Sequence, residues 1–201
     1  MSLNFANNNS LSAITTKPSG LSGGGMTLIS TQTASSSSTI SFTSGIDSTY
    51  DEYVFKFINI HPATDDAEFS FQVDTGTNTS YNQTITSTFF NAQHDESGSN
   101  TFFSYRTPRD QSQGSAFQTL TEGSGNDNDQ SSSGTLTIFS PSSSVFVKHF
   151  IATTQTAHSG DYSMNNFIAG YVNTTSALTR VQFKYDTGNI DSGVIKLYGV
   201  S

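Results

Sequence analysis

The tripeptide Asp-Thr-Gly occurs twice, and of all the patterns in this chain it points most directly to catalysis. Asp74-Thr75-Gly76 follows Val73, and Asp186-Thr187-Gly188 follows Tyr185. In aspartic proteases, two carboxylates in this setting share one proton. Each such motif needs the rest of a lobe behind it, yet only 13 residues follow Gly188. Because Asp and Gly also close strands and begin turns, we interpret both copies as turns and expect no catalytic residue.

Acidic and amide side chains gather in two short segments that could offer oxygen atoms to Ca²⁺. These are Asn126 to Asp129, within the glycine-rich loop 123–129, and Asp65-Asp66 with Glu68. Neither has the glycine and distal glutamate of an EF-hand. We interpret both as solvated loops and expect no metal and no cofactor. Whether loop 123–129 binds Ca²⁺ is left open.

The four histidines are scattered and lack the spacing of a metal site. They are His61, His94, His149 and His158, and we expect His149, on an apolar segment, to be a buried, hydrogen-bonded core residue. No Gly-x-Ser-x-Gly sequence marks a nucleophile for a Ser-His-Asp triad. Four tyrosines near strand ends, Tyr50, Tyr81, Tyr105 and Tyr162, could instead stack on a sugar. A glycan ligand therefore stays possible, although the chain has no Trp.

Composition and charge exclude several classes of partner. The net charge is -8 with only 8 Lys and Arg, which argues against nucleic acid and against an anionic membrane surface. No apolar run is long enough for a membrane span. The first residues have neither a basic region nor an apolar region, so we expect no signal peptide. The absence of Cys excludes disulfides and thiolate chemistry.

Apolar and polar residues alternate along most of the chain with a period of two. Phe69, Phe71 and Val73, for example, are separated by Ser70 and Gln72. This period predicts strands with one buried face. We predict up to twelve, near 26–32, 39–43, 52–60, 67–74, 83–92, 101–105, 117–121, 134–139, 145–153, 162–172, 178–186 and 193–200.

Two predicted strands are apolar on both faces, which is typical of central strands. They are 52–60 and 145–151, and we expect Tyr53, Phe55, Phe57 and Phe146 to be core or interface anchors. The pattern predicts an all-β fold, a two-sheet antiparallel sandwich that is jelly-roll-like, with residues 26–201 as a single domain.

Residues 1–25 differ from the rest because they have sparse apolar residues and no strand or helix period. They end in Gly23-Gly24-Gly25. The segment is either an unstructured terminus or an extended N-terminal arm. As an arm, it would place Phe5, Leu11, Ile14 and Leu21 against a neighbouring subunit.

Three segments resemble structural proteins of marine tailed bacteriophages, including cyanophages. They are 28–50, which begins Leu-Ile-Ser-Thr-Gln-Thr, 53–63, which reads Tyr-Val-Phe-Lys-Phe-Ile-Asn-Ile-His-Pro-Ala, and 192–200. Together they cover about a quarter of the chain and contain no catalytic signature. The resemblance implies a non-enzymatic β-sandwich in the virion, on the capsid surface or in the tail apparatus, usually as a symmetric oligomer.

From the residues and the resemblance together we expect a non-enzymatic virion structural protein. Capsid-surface decoration or cement is favoured over a tail component, with other virion proteins and copies of itself as partners. The alternative is a carbohydrate-binding, host-receptor-binding module of a tail fibre.

Overall fold

The computed structural model describes residues 25–201, which form two antiparallel sheets packed face to face. All twelve predicted strands are present, and two of them, β6 and β10, have the predicted bounds. The strands are β1 Thr27–Ser37, β2 Ile40–Phe42, β3 Glu52–Pro62, β4 Phe69–Thr75, β5 Ile85–Asp95, β6 Thr101–Tyr105, β7 Gln118–Thr119, β8 Ser132–Phe139, β9 Lys148–His158, β10 Tyr162–Val172, β11 Leu178–Tyr185 and β12 Ile190–Val200.

The two sheets differ in size. The large sheet has eight strands in the order β1-β12-β3-β8-β9-β10-β5-β6, and the small sheet has four in the order β2-β11-β4-β7. A single 3-10 turn, Thr107–Arg109, interrupts the β structure of residues 25–201. The large sheet therefore has more strands than the small sheet can cover.

The core between the sheets is dominated by phenylalanine. Phe183 of the small sheet meets Phe55 and Phe57 of the large sheet edge to face, with ring centroids 5.2 and 5.3 Å apart. Phe55 and Phe57 are buried on a central strand, as predicted, and so is Tyr53. Such edge-to-face contacts stabilise the packing beyond the burial of apolar area.

Bulges in β3 and β12 bend the middle of the large sheet. Asn59 has φ 49° and Gly193 has φ 126°, and the strand register shifts beside both residues. A Cβ on Gly193 would lie 2.6 Å from the carbonyl oxygen of Asn59. Only glycine fits there, because the two strands approach too closely for a side chain.

The outward face of the small sheet is polar, and the chain's own loops cover its β4 side. Gln72 is fully buried, and its Nε2 donates to the carbonyl oxygens of Gln83, Ser115 and Ala116 at 2.9, 3.3 and 2.9 Å. Asp74, also fully buried, accepts from Tyr81 N at 2.9 Å. These bonds fasten two loops to the sheet and satisfy the buried polar groups.

Candidate interaction surface

The outward side of the large sheet has a cluster of apolar side chains over β9, β10, β5 and β6. We call this cluster the aromatic face and define it as Phe90, Phe103, Tyr105, Ile151 and Phe167. Phe103 is 70% exposed, and Tyr105 and Ile151 are each 53% exposed. Phe90 and Phe167 are half-buried beside them. Exposed apolar clusters of this kind mark sites of interaction with other molecules.

Strand register brings these five residues together. Phe90 lies opposite Phe167 on one side and opposite Tyr105 on the other. Phe103 is paired with Ala92, two residues along β5 from Phe90, so it lies on the same side of the sheet. β9 alternates strictly between buried and exposed residues from Lys148 to Gln155, which places Ile151 outward.

Contacts within the aromatic face hold its side chains in place. The Phe90 and Phe167 rings stack with centroids 5.0 Å apart, and Phe90 and Phe103 are 5.6 Å apart. The Tyr105 hydroxyl donates to Asp110 Oδ2 at 2.6 Å, and this bond raises the pKa of Tyr105. Because the rings are already restrained, a partner that packs on them loses less side-chain entropy.

An apolar groove continues the aromatic face toward the middle of the sheet. Its volume is about 480 Å³, and its lining includes Ile151, His149, Tyr171, Ala169 and Phe139. The prediction that His149 is a core residue is wrong, because the residue is exposed and meets the Tyr171 ring edge to face at 6.3 Å. β9 begins only at Lys148, and from there alternate residues point outward, so His149 and Ile151 face the groove.

Two further apolar residues are exposed just before β9. Val145 is 69% and Phe146 71% exposed, so the predicted buried strand over 145–151 is wrong in its first half. The exposure of these two residues has a physical reason. Ser143 Oγ accepts from the backbone N–H groups of Val145 and Phe146 and holds them in a turn. Phe146 is thus excluded from the core, and of its two predicted roles only that of interface anchor remains a prediction.

The two Asp-Thr-Gly segments lie at opposite ends of one strand pair. Asp74 is opposite Arg180 at one end, and Phe69 is opposite Tyr185 at the other. Five residues of strand separate these pairs, so Asp186 lies about 17 Å or more from Asp74. Asp186 Oδ1 instead accepts from Glu68 N at 2.8 Å. Both carboxylates fasten turns, as the sequence predicted, and they do not form a dyad.

The acidic loop 123–129 lies beside other acids but makes no recognisable metal site. Asp127 and Asp129 border a small cavity together with Glu96 and Asp161. Within residues 25–201, no group of three or more His, Asp or Glu side chains has the geometry to hold a metal ion. The His61 ring meets the carbonyl oxygen of Asp127 at 3.2 Å, which ties this loop to β3.

The four tyrosines proposed for sugar stacking have different surroundings. Tyr81 is buried, and Tyr50 is half-buried against Tyr53 with ring centroids 5.9 Å apart, so both pack as structural residues. Tyr105 belongs to the aromatic face. Tyr162 is half-buried and borders a polar cavity.

Sequence reasoning missed Phe90, Phe103 and Phe167, although the chain contains a signal for them. Each has an apolar neighbour on its strand, Phe89, Phe102 and Ile168 respectively. Adjacent residues of a strand point to opposite faces, so such a pair cannot place both side chains in one core. Two adjacent apolar residues on one strand therefore indicate that one of them lies on the outward face of the sheet.

The predicted arm residues Phe5, Leu11, Ile14 and Leu21 lie outside the residues that the structure describes. Comparison with family models, with curated proteins and with solved structures gives no match to this chain. Over residues 25–201, no helix is long and apolar enough to cross a membrane.

Proposed function

We propose that this chain is a non-enzymatic virion structural protein of a tailed phage, which acts by packing against other subunits. The observation that carries the proposal is the aromatic face. Three large side chains more than half exposed, beside two restrained rings, form a surface suited to burial against a partner. A stable interface of standard size needs about 800 Å² from each partner, so an interface here would also bury residues around the aromatic face.

Within the virion, we favour capsid-surface decoration or cement over a component of the tail apparatus. The resemblance of residues 28–50, 53–63 and 192–200 to structural proteins of marine tailed phages supports a place in the particle. The net charge of -8 makes contact with packaged DNA unfavourable. Apolar and hydroxyl contacts also hold in high salt, because they are not screened. The expected partners are other virion proteins and further copies of this chain.

The strand order supports a jelly roll as the parent fold. Without β5, β6, β9 and β10, the sheets become β1-β12-β3-β8 and β2-β11-β4-β7. Eight antiparallel strands divided in this way between two sheets have the arrangement of a jelly roll. On this proposal, the hairpins β5-β6 and β9-β10 are additions that extend one sheet and bring the aromatic face with them. An experimental structure with a different order of these eight strands would contradict it.

Immunogold electron microscopy of purified phage particles tests the virion proposal. A lysate from the phage that encodes the chain is fractionated, and antibody against the chain is applied to intact particles. Label over the capsid shell is expected. Label confined to the tail would shift the proposal to the tail apparatus, and a chain found only in the soluble fraction would overturn it.

Sedimentation velocity of the purified full chain tests the packing mechanism separately. We expect self-association, or co-sedimentation with capsids that lack the protein. A chain that stays monomeric at high micromolar concentration and ignores such capsids would contradict a role in assembly.

A further inference from the structure

A polar cavity lies on the side of the large sheet opposite the aromatic face. Its volume is about 240 Å³. The large sheet and the segments beside it both line the cavity. The lining residues are Asn91 and Gln93 of β5, Tyr162 and Met164 of β10, His158 of β9, and Arg106 and Glu122. The small sheet contributes no strand residue to this lining, because the large sheet extends beyond it.

The charges in the cavity wall neutralise one another. Arg106 Nε donates to Glu122 Oε2 at 2.9 Å, and a second bond joins Arg106 Nη2 to Glu122 Oε1. This pairing raises the pKa of Arg106. Arg109 also approaches Glu122, at 3.6 Å, and forms its own ion pair with Glu68. The wall therefore presents donors and acceptors without a free charge.

Asn91 has an unused hydrogen-bonding group at this site. The residue is only 2% exposed. Its Nδ2 donates to Glu122 Oε2 at 3.2 Å and approaches Met164 Sδ at 3.4 Å. Over residues 25–201 its Oδ1 has no hydrogen-bond partner. A buried amide oxygen without a partner is unfavourable, so a shift of the Asn91 side chain that brings this oxygen to a ligand hydroxyl would be favourable.

Tyr162 places an aromatic side chain in the cavity wall. Its ring meets the His158 imidazole edge to face, with centroids 5.7 Å apart at an interplanar angle of 90°. The backbone N–H of Gly160 donates to His158 Nδ1 at 2.9 Å and orients the imidazole. A half-buried tyrosine held in this way offers a rigid apolar surface beside polar groups.

The surroundings select against anionic ligands. A second cavity of about 250 Å³ shares His158 and Tyr162 with the first and is bordered by Glu96, Asp127, Asp129 and Asp161. These carboxylates repel an anion. Over the described residues, none of the acidic groups is arranged to hold a metal ion. The carboxylate that lines the first cavity, Glu122, is already paired with Arg106 and offers no free charge to a cation, so a ligand with several hydroxyl or amide groups fits this cavity best.

We propose that this cavity binds one unit of a neutral saccharide. Asn91, Gln93 and the Arg106–Glu122 pair would bond its hydroxyls, while Tyr162 packs against the C–H face of the ring. The cavity has room for about eight water molecules at roughly 30 Å³ each, which suits a single sugar ring. The site lies on the opposite side of the sheet from the aromatic face, so it does not depend on the proposed packing function.

Saturation-transfer NMR on the full chain tests the proposal. The probes are glucose, galactose, mannose and N-acetylglucosamine, with glucuronic and sialic acids as charged counterparts. We expect at least one neutral sugar to bind with a dissociation constant of about a millimolar, and the acids to bind at least about tenfold more weakly. No binding by any neutral sugar, or a preference for the acids, would overturn the proposal.

Two variants and a matched control locate the binding. Tyr162→Ala and Gln93→Ala should each weaken sugar binding by about tenfold or more. Tyr171→Ala is the control, because Tyr171 lies on the same strand but faces the outward groove, and it should leave binding unchanged. If Tyr162→Ala lowers the folded fraction measured by circular dichroism, Gln93→Ala alone tests whether the sugar binds in this cavity. Unchanged binding in Gln93→Ala and in folded Tyr162→Ala, or equal loss in Tyr171→Ala, would contradict the assignment.

Discussion

The outward face of the small sheet and the aromatic face of the large sheet are opposite in chemistry. On the small sheet, Ser70, Gln72 and Asp74 lie opposite Lys184, Gln182 and Arg180, so every pair is polar. On the large sheet, the aromatic face places Phe90 between Phe167 and Tyr105. The chain's own loops cover the β4 side of the polar face. The apolar face is exposed over the part of the chain that the structure describes.

This contrast shows that a sheet face can be buried by the chain itself without being apolar, and can be apolar without being buried. Gln72 and Asp74 are fully buried because each fastens a loop through directed hydrogen bonds. A loop is rich in backbone donors and acceptors, so it packs well on a polar face that can satisfy them. An apolar face offers a loop no such bonds, so it is buried more favourably against a second apolar surface.

The largest effect on association is expected when the aromatic face is made polar. Phe103→Ser with Ile151→Ser should weaken self-association or capsid binding by about 4 kcal/mol, roughly 1,000-fold, because two exposed anchors are lost. The free energy of unfolding should change little, since both side chains are exposed. Sedimentation velocity and urea denaturation measure the two quantities.

Val145→Ser is the matched control for that double variant. Val145 is 69% exposed but lies in the turn before β9, outside the aromatic face. It should leave association at the level of the parent chain. If it weakens association as much as the double variant does, the interface is not the aromatic face.

Substitutions on the covered polar face should change the free energy of unfolding instead of association. Gln72→Ala removes the donor shared by three loop carbonyl oxygens and should lower the free energy of unfolding by about 2–3 kcal/mol. Gln182→Ala, directly across the strand pair, loses one bond to Ser41 Oγ and should cost less than about 1 kcal/mol. Equal losses in urea denaturation would show that the loops are not fastened through Gln72.

The predicted arm offers a further test of what packs on neighbouring subunits. Replacing Phe5 and Leu11 with Ser should weaken association about tenfold, as expected for two peripheral apolar contacts, without changing the unfolding free energy. Sedimentation equilibrium gives the dissociation constant, and replacing Asn7 and Ser10 with Ala is the control. Association unaltered by the apolar replacements would favour the alternative of an unstructured terminus.

The smallest effect concerns pH and the turn that supports β6. Asp95 accepts hydrogen bonds from Asn100 N at 2.9 Å and from the Ser97 and Ser99 hydroxyls, and these lower its pKa. A lowered pKa means that the stabilisation is present above the ordinary carboxyl range near about 4 and is lost as the pH falls below it. The protection factors of the amides from Phe102 to Tyr105, which are exchange rates corrected for the intrinsic effect of pH, should therefore fall in acid.

Asp95→Asn is the control for the pH experiment. This variant cannot titrate at the position, so the protection factors of its β6 amides should lose most of their dependence on pH below about 4. The same loss of protection in parent and variant would show that another carboxylate controls the turn.

Much of the architecture could be predicted from alternation along the strands. The spans 101–105 and 162–172 were predicted with their observed bounds, and 52–60 was recognised as a central strand. The span 145–151 failed because apolar composition alone cannot show that Ser143 binds the backbone of Val145 and Phe146 in a turn. For the candidate site, the sequence singled out Tyr105 and Tyr162 but not the residues that surround them.

The amino-acid sequence alone predicts which segments contain strands and shows that the net charge disfavours nucleic acid, because alternation and composition are local or additive properties. Which strands are neighbours is a property of the tertiary fold. Phe90, Phe103 and Phe167 form one surface, and Asn91, Arg106 and Glu122 form one cavity wall, because the hydrogen-bonded register aligns β5, β6 and β10. That register depends on pairing between segments distant in the chain, which a local pattern does not record.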